Sequence, residues 1–328
     1  MDQKLNPKMF DEDVEKVPIR NGFGSGLVKA GEENENVVAL TADLSGSVRT
    51  ADFAKKFPKR FFEVGIAEQN LASVASGLAA MGKVPFAASY AVFSPGRNWE
   101  QIRTTIAYNN QPVIMVGSHA GVVTGPDGGT HQALEDLAIT RVIPNMTVIS
   151  PCDHLEAEKA TLALARKPRP TYLRLARAKT PVITTSETPF EIGKASIFYT
   201  PESGKIDVGI IATGHLVHRA IKTAKEFAER GIDVAVMNVA TIKPFYEEAV
   251  AKSARDAGAV VSVEEHQIAG GLGSLVAETI AKNNPVPQEF VGIQDKFGES
   301  GEPMELLDHF RLNVEGITEA VERVLSRK

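Results

Sequence analysis

The chain of 328 residues contains a single cysteine, Cys152, and therefore cannot form an internal disulfide. Chains without a disulfide framework are typical of reducing compartments. No apolar run is long enough to cross a bilayer, and the polar first sixteen residues lack the apolar core of a signal peptide. These absences predict a cytoplasmic protein with no membrane partner.

Basic runs and several familiar catalytic motifs are absent as well. The net charge is −5 and the Lys and Arg residues are scattered, which argues against a nucleic-acid partner. The sequence contains no G-x-S-x-G nucleophile elbow, no P-loop and no H-E-x-x-H metal motif. It therefore gives no support to the hydrolase, nucleotide-phosphate or zinc-protease chemistry that these motifs carry.

Two blocks of alternating strands and helices account for most of the chain. The first block predicts strands over 37–42, 84–88, 112–117, 146–150 and 171–175, and helices over 20–30, 68–80, 99–109 and 154–165. The second predicts strands over 208–212, 234–239, 259–263 and 288–291, and helices over 218–230, 246–257, 273–282 and 316–326. Such alternation is typical of parallel sheets with crossover helices. We expect an α/β protein of two doubly wound domains, 1–190 and 191–328, joined by a Pro- and Thr-containing linker over 178–193.

An aromatic and aliphatic stretch leads into an acid, Glu68, at a predicted helix start. Acids in the first turn are common because they interact favourably with the helix dipole, and this is the ordinary interpretation of the segment taken alone. The alternative is a carboxyl group in a dry pocket, with Phe61, Phe62 and Ile66 excluding water. Such a group would be suited to sharing a proton with a ring nitrogen.

The loop over 118–132 follows a predicted strand and carries two histidines, an aspartate and four glycines. Loops beyond the carboxyl ends of parallel strands are where α/β sheets bind ligands, and glycine lets backbone approach a ligand closely. His119, Asp127 and His131 are therefore candidate ligand contacts. A structural turn is an equally good interpretation. A zinc site is less favoured, because no compact pair of ligands is present and Cys152 lies elsewhere.

The remaining candidates are three aromatic residues after the strand 84–88 and three arginines near predicted element ends, namely Tyr90, Phe93 and Trp99, and Arg20, Arg174 and Arg177. The aromatics either pack in the core or form a stacking surface for a flat heterocycle. Each arginine is either a solvated surface charge or part of a phosphate site, because the guanidinium fork matches phosphate geometry.

Read in chain order, these pieces resemble the transketolase family of thiamine-diphosphate enzymes along most of the chain. The similar segments are TADLSGS at 41–47, VGIAEQN at 64–70, GPDGGTHQALEDLA at 125–138 and VEEHQIAGGLGS at 263–274, together with the spacing of His119, Asp127 and His131. Each is moderately specific, and five in the same order are strongly so. The resemblance implies an aminopyrimidine-binding domain over 1–190 and a transketolase C-terminal-type domain over 191–328.

The resemblance implies a role for each matching residue. Glu68 would pair with N1′ of the cofactor's aminopyrimidine and favour the imino form, which removes the thiazolium proton. With Glu68, two histidines would act in the chemistry, His119 and His131. The other implied contacts are Tyr90 and Phe93 in the aminopyrimidine pocket, Asp43 and Leu44 near the cofactor, Asp127 with the histidines at the sugar, and Arg20 and Arg177 at the sugar phosphate, with Ser45 or Ser47 a weaker candidate. One departure is Gly96, which stands where some members have a third pocket aromatic, and Trp99 is a candidate replacement.

The resemblance also implies that half of the active site lies on another chain. In this family a separate domain carrying G-D-G and a later Asn holds the diphosphate and its divalent metal, and no G-D-G occurs here. We therefore expect an N-terminal, diphosphate-binding partner subunit that holds Mg²⁺ or Ca²⁺, in an assembly with two copies of each chain. The substrates would be phosphorylated sugars that exchange a two-carbon ketol unit.

Three alternatives share parts of this pattern. The β subunits of 2-oxo-acid dehydrogenases have a similar layout, but the loop with two histidines and Asp127 suits a phosphorylated sugar better. Deoxyxylulose-phosphate synthase has related motifs but usually occurs as one long chain. A non-catalytic regulatory subunit would be expected to lack the key carboxylate, yet Glu68 is present. A sugar-phosphate-binding subunit would instead bind a sugar phosphate tightly as an isolated chain. The role of the second domain and of His266 stays open.

Overall fold

The computed structural model describes residues 4–328, which form two α/β units. The strands are β1 (Lys16–Pro18), β2 (Val37–Thr41), β3 (Phe61–Glu63), β4 (Val84–Tyr90), β5 (Ile114–Ser118), β6 (Thr147–Ile149), β7 (Thr171–Leu175), β8 (Lys179–Pro181), β9 (Ser196–Tyr199), β10 (Val208–Ala212), β11 (Val234–Asn238), β12 (Thr241–Lys243), β13 (Val260–Gln267) and β14 (Gln288–Ile293). The helices are α1 (Ile19–Glu33), α2 (Ala51–Lys56), α3 (Glu68–Ala80), α4 (Trp99–Gln101), α5 (Asp136–Arg141), α6 (His154–Arg166), α7 (Leu216–Glu229), α8 (Glu247–Ala257), α9 (Leu272–Asn283), α10 (Pro303–His309) and α11 (Val314–Leu325).

The first sheet has seven strands in the order β12-β6-β7-β5-β4-β2-β3, and all except β12 run parallel. Its inner strands are apolar and buried because helices cover both faces. Alternate residues of β2 face opposite sides. Val37 and Ala39 pack with α1 and α6, whereas Val38 and Leu40 pack with α3.

The second sheet has five strands in the order β14-β13-β10-β11-β9, and only β9 is antiparallel. Helices α7 and α11 cover one face, and α8 and α9 cover the other. The structure therefore confirms the predicted α/β class with two parallel-sheet units. Within residues 4–328 no helix has the length and apolar character that a membrane span requires.

The predicted helix over 99–109 differs in its geometry. It begins at Trp99 as expected, but after one turn the chain continues as a π-helix over Ile102–Tyr108. The other long elements agree closely with the sequence pattern, and α3 begins at Glu68 and ends at Ala80 as predicted.

The two units interlock along the chain. Strand β12 belongs by sequence to the second unit, yet it pairs antiparallel with β6 of the first sheet. The predicted linker is fixed against the first unit, because β8 pairs with β1 and the backbone N–H groups of Ile183 and Thr184 donate to the Asp153 carboxylate. The boundary between 190 and 191 stays a prediction.

Candidate active site

The candidate residues lie at the carboxyl edge of the first sheet. Asp43 follows β2, Tyr90 ends β4, His119 follows β5, and Arg177 follows β7. Because these strands are neighbours in the order β7-β5-β4-β2, residues far apart in sequence meet at one edge. This is the edge at which open parallel sheets bind ligands.

A continuous layer of flat side chains runs along this edge. The Arg97 guanidinium lies 4.4 Å from the centroid of the Phe93 ring, and Phe93 stacks on Tyr90 with 6.0 Å between ring centroids. Tyr90 stacks in turn on His119 at 3.8 Å, and Arg20 Nη1 lies 2.6 Å from His119 Nε2. The half-buried aromatics therefore form a stacking surface, which is the functional interpretation of these residues.

Glu68 lies at the Phe93 end of this layer. It is the first residue of α3, it is buried, and its carboxylate accepts a hydrogen bond from Arg97 Nη1 at 3.2 Å. Asn98 anchors the same turn, because its Nδ2 donates to the Glu68 carbonyl at 2.9 Å. The Arg97 side chain is 54% exposed, so the partner of this buried carboxylate is itself a surface group.

The residues expected to keep water from Glu68 do not do so in this chain. Ile66 is 74% exposed. Phe61 and Phe62, on the edge strand β3, are half-buried and pack against the two core clusters of the first sheet. Glu68 is nevertheless only 4% exposed, so other residues bury it, and the exposed Ile66 leaves apolar surface next to it.

The histidine at the centre of the layer is held neutral. Burial lowers the pKa of His119 to about 2, and the guanidinium groups of Arg20, Arg177 and Arg49 add to this shift. Since Arg20 donates to Nε2, the ring proton lies on Nδ1, 3.0 Å from Ser118 Oγ. A neutral imidazole here can exchange hydrogen bonds with a ligand without adding a charge.

Three arginines converge on the far end of the layer. Burial, together with the charges of Arg49 and Arg177, lowers the pKa of Arg20 to about 10, while Tyr90 and Asp127 oppose the shift. The Nε of Arg20 is buried and has no hydrogen-bond partner among residues 4–328. Like charges held together with an unpaired donor indicate a site for an anion.

Strained backbone marks the same edge. Asp43, Arg49 and His119 have positive φ angles of 58°, 66° and 57°. The surroundings hold two of them, because Glu63 accepts from the Asp43 N–H at 2.7 Å and Asn21 accepts from Arg49 Nε at 2.9 Å. Residues in this conformation concentrate at functional sites. Sequence reasoning missed Arg49 and Arg97, because neither has a motif or a spacing that distinguishes it from a surface arginine.

The loop after β5 brings most of its predicted residues to this edge. Its 3₁₀ turn spans Val122–Asp127, and His131 meets the Phe93 ring edge-on at 5.4 Å. Thr124 links the loop to its neighbours, since its hydroxyl donates to the His119 carbonyl and its carbonyl accepts from Arg177 Nη1, both at 2.7 Å. Asp127 is exposed at the end of the turn. No three His, Cys, Asp or Glu side chains within the described residues are grouped as metal ligands.

Two predictions about single side chains are wrong. Arg174 is not part of the phosphate site, because it is buried below the edge with its Nε 2.8 Å from Asp136 Oδ2. Trp99 does not replace the third pocket aromatic, because its indole Nε1 donates to the Ile139 carbonyl at 2.6 Å. At Gly96 itself, a Cβ atom would lie 2.0 Å from the Val92 carbonyl oxygen, so no side chain fits there.

The other candidates take supporting positions. Leu44 is half-buried against the core, and the carbonyl of Ser45 accepts the N–H groups of Thr50 and Ala51 in the turn that leads to α2. His266 is fully buried between the two units, where its Nε2 accepts from the Ala138 N–H at 3.3 Å. It is therefore a residue of the contact between units.

Comparison with known protein families matches nearly the whole chain. Residues 15–182 match the model of the transketolase pyrimidine-binding domain, and residues 201–317 match that of the transketolase C-terminal domain. The order of the two domains is the one that the sequence motifs indicated.

Two relatives and one solved structure are similar to this chain over nearly their full length. A protein of Methanocaldococcus jannaschii, provisionally named a transketolase C-terminal section, is 44% identical over 92% of this chain and 95% of its own. A 6-deoxy-6-sulfo-D-fructose transketolase subunit of a Clostridium species is 40% identical over 97% of this chain and 98% of its own. A solved structure described as a split gene transketolase, inactive beta4 tetramer, is 42% identical, covers 94% of this chain and 99% of its own, and superposes with a TM-score of 0.87.

Proposed function

This chain belongs to the transketolase family, and we propose that it is the aminopyrimidine-side subunit of a two-chain enzyme that transfers a two-carbon ketol unit between phosphorylated sugars. The enzyme would use thiamine diphosphate, with a separate subunit holding the diphosphate and its Mg²⁺ or Ca²⁺. We also propose two copies of each chain in a cytoplasmic assembly. The observation that carries the proposal is the continuous layer from Glu68 to Arg20. It orders a carboxylate, a stacking surface, a neutral histidine and a cationic end along one sheet edge.

The contacts of Arg97 support the fit of an aminopyrimidine ring. Its flat guanidinium lies over Phe93 and donates to Glu68, which are the two contacts that a flat heterocycle bearing an N–H would make. Because the Arg97 side chain is half-exposed, it can leave this position at little cost. When bound, thiamine diphosphate supplies the carbanion chemistry of the reaction. The Glu68 carboxyl would share a proton with N1′ and favour its protonated form, and Phe93 and Tyr90 would orient the ring.

The other end of the layer fits the sugar. His119 is neutral and can exchange hydrogen bonds with the carbonyl or hydroxyl oxygens of the substrate, and His131 approaches from the side. Arg20 and Arg177 would hold the phosphate, and the buried unpaired Nε of Arg20 supplies one donor. Because its pKa is lowered to about 2, His119 is suited to hydrogen bonding and not to taking up a proton near neutral pH, which leaves His131 as the candidate for proton transfer.

Two observations support a requirement for a partner subunit. Ile66 and the Arg97 side chain are 74% and 54% exposed, so the surface beside Glu68 is uncovered in this chain. The similar solved chain is described as inactive in a tetramer of its own kind. An active site completed at an interface between subunits accounts for both.

The test combines this chain with its candidate partner, the protein that carries G-D-G and a later Asn. Thiamine diphosphate and Mg²⁺ are added, and xylulose 5-phosphate with ribose 5-phosphate is compared with pyruvate plus glyceraldehyde 3-phosphate. We expect two-carbon transfer from the ketose phosphate and no turnover by this chain alone. A parallel assay uses 6-deoxy-6-sulfo-D-fructose, the sugar for which one relative is named. It distinguishes a substrate with a phosphate end from one with a sulfonate end. Product only from pyruvate would refute the proposed reaction.

A further inference from the structure

The loop over 118–132, which we call the sugar-facing loop, is bonded to the second unit. Glu265, on β13, is buried, and its Oε1 accepts a hydrogen bond from the Val123 N–H at 2.8 Å. His215, which precedes α7, donates from Nε2 to the other carboxylate oxygen at 2.7 Å. The carbonyl of Glu265 accepts from Arg174 Nη2 at 2.8 Å. One residue of the second unit therefore bonds the loop, the first sheet and its own unit.

The loop backbone rests directly on this carboxylate. Gly121 has a φ of +84°, and a Cβ atom there would lie 2.1 Å from the carboxyl carbon of Glu265. A glycine at this position lets the backbone approach the acid closely. Farther along, Gln132 Nε2 donates to the Val122 carbonyl at 3.2 Å and to the Glu299 carbonyl of the second unit at 2.8 Å. The turn between the two candidate histidines is thus fixed to the second unit at both ends.

From Val123 the contacts lead directly to the site. The next residue, Thr124, donates to the His119 carbonyl and accepts from Arg177 Nη1, both at 2.7 Å. A shift of the Val123 N–H would therefore move Thr124, whose hydrogen bonds locate His119 and Arg177. Misplacement of about 1 Å is enough to cost an enzyme a large part of its rate.

We propose that Glu265, a residue of the second unit, is a positioning residue that fixes the backbone of the sugar-facing loop of the first unit. It acts through Val123 and Thr124 on His119 and Arg177. The inference rests on the proposed function and adds to it a role for the C-terminal domain in substrate binding. The carboxylate has no Lys or Arg side chain within 4.0 Å among the described residues. Its burial is matched instead by directional bonds to a loop N–H and to His215, and such bonds specify geometry.

The neighbouring acid provides a matched control. Glu264 lies on the same strand and is equally buried, and its two oxygens accept the N–H groups of Leu272 and Gly273, both at 2.7 Å. These bonds stay within the second unit. Glu264→Ala and Glu265→Ala each remove a buried carboxylate that accepts backbone N–H groups, but only the second removes a bond to the sugar-facing loop.

The experiment compares these two variants with Glu265→Gln in the complete complex with the partner subunit. Backbone amide exchange of peptides covering 119–132 is measured first, because it does not depend on which sugar is the substrate. We expect faster exchange in Glu265→Ala, little change in Glu264→Ala, and an intermediate value in Glu265→Gln, whose amide oxygen can still accept from Val123. For the ketose phosphate donor we expect kcat/KM to fall between about tenfold and a hundredfold in Glu265→Ala, mainly through KM. The affinity for thiamine diphosphate should stay within about twofold.

Equal exchange in the two alanine variants, or an unchanged donor KM in Glu265→Ala, would overturn the positioning role. If Glu265→Ala does not assemble, the same comparison of Glu265→Gln with Glu264→Gln decides the question. A complex that shows the expected exchange but transfers no ketol unit would refute the proposed function and leave the role of Glu265 in the loop intact.

Discussion

Charged side chains have different partners in two regions of the molecule. One region is the edge of the first sheet that faces the proposed cofactor, and the other is the contact between the two units. At the edge, three arginines converge, Arg20 Nε has no partner among the described residues, and the Glu68 carboxylate is paired with an exposed arginine. Beside the contact between the units, Asp136 of the first unit accepts from Tyr172 Oη at 2.7 Å and from Arg174 Nε at 2.8 Å, and Arg174 Nη2 donates to the Glu265 carbonyl of the second unit at 2.8 Å.

A second acid at this contact is paired in the same way. Glu156 accepts from the Cys152 N–H at 2.7 Å and from Asn238 Nδ2 of the second unit at 2.8 Å. Each acid at the contact therefore has hydrogen-bond donors from the chain, although Asp136 Oδ1 and Asn238 Oδ1 have no partner among the described residues. At the edge, Arg20 Nε has no partner and the partner of the Glu68 carboxylate is an exposed arginine. Charged groups at a sheet edge whose partners are missing or exposed are available to a ligand, whereas buried hydrogen-bonded networks fix the structure. Substitutions at the edge should change binding and turnover, and substitutions at the contact should change stability.

Glu68→Gln tests the first half of this comparison most strongly. The amide cannot supply a proton to N1′ as a carboxyl group can, so we expect turnover of the complete enzyme to fall about a hundred- to ten-thousandfold. Assembly and the unfolding midpoint should change little. Glu100→Gln, an exposed first-turn acid of α4, serves as the control. Steady-state kinetics and size-exclusion chromatography measure both effects, and unchanged turnover would remove Glu68 from the mechanism.

Arg174→Met tests the other half. It leaves Asp136 buried without its cation, and breaking a buried pair in this way costs about 3–5 kcal/mol of unfolding free energy. The double variant Asp136→Leu/Arg174→Met should recover most of that loss, because it leaves no unpaired charge. Denaturant unfolding measures both. A loss below about 1 kcal/mol in the single variant would show that this ion pair does not stabilise the contact.

The pH dependence of stability separates the two regions further. Burial raises the pKa of Glu156 from its ordinary 4.5 to about 7. Between these values the unfolded chain has lost the proton that the folded chain keeps, so the stabilising contribution is full below about 4.5 and is lost as the pH rises through about 7. Glu156→Gln removes this titration. Its unfolding midpoint relative to the unchanged protein should rise between pH 5 and 7.5, and parallel curves would contradict the assignment.

The smallest effect is expected at Arg97. Because its guanidinium occupies the face of Phe93 and the Glu68 carboxylate, Arg97→Ala should tighten thiamine diphosphate binding to the complete enzyme about two- to fivefold, the range of an exposed ion pair. Arg103→Ala, an exposed arginine farther along the same segment, should leave the affinity unchanged. Isothermal titration measures both. Binding weaker by tenfold would show that Arg97 holds the cofactor instead of occupying its place.

The long elements of the fold were predictable from the sequence, and most of the short ones were not, with β6 an exception because it lies in a longer apolar run. Strands β7 and β10 and helix α3 have the predicted bounds because each is an apolar run or an amphipathic stretch with clear ends. Strands β1, β3, β8 and β12 have three residues each, too few for any periodicity. The pairing of β12 with the first sheet depends on tertiary contact and leaves no local pattern in the sequence.

The site was predictable where motifs exist and not where contacts arise from folding. The motif residues Glu68, Tyr90, His119 and Arg177 meet at one edge because the strands that precede or carry them are neighbours. The place of Arg174 on β7 was misjudged, since a strand residue alternates between faces and its neighbours cannot be read from one sequence. The roles proposed for these residues stay predictions until substrate and cofactor are bound.

The placement of β12 has a consequence for anyone who recombines or truncates this protein. A cut near 190 would remove β12 and leave β6 with a row of free N–H and C=O groups, an edge that invites aggregation. Chimeras between relatives should therefore keep residues 241–243 with the parent of the first sheet. A crossover at the predicted boundary between 190 and 191 should therefore be avoided.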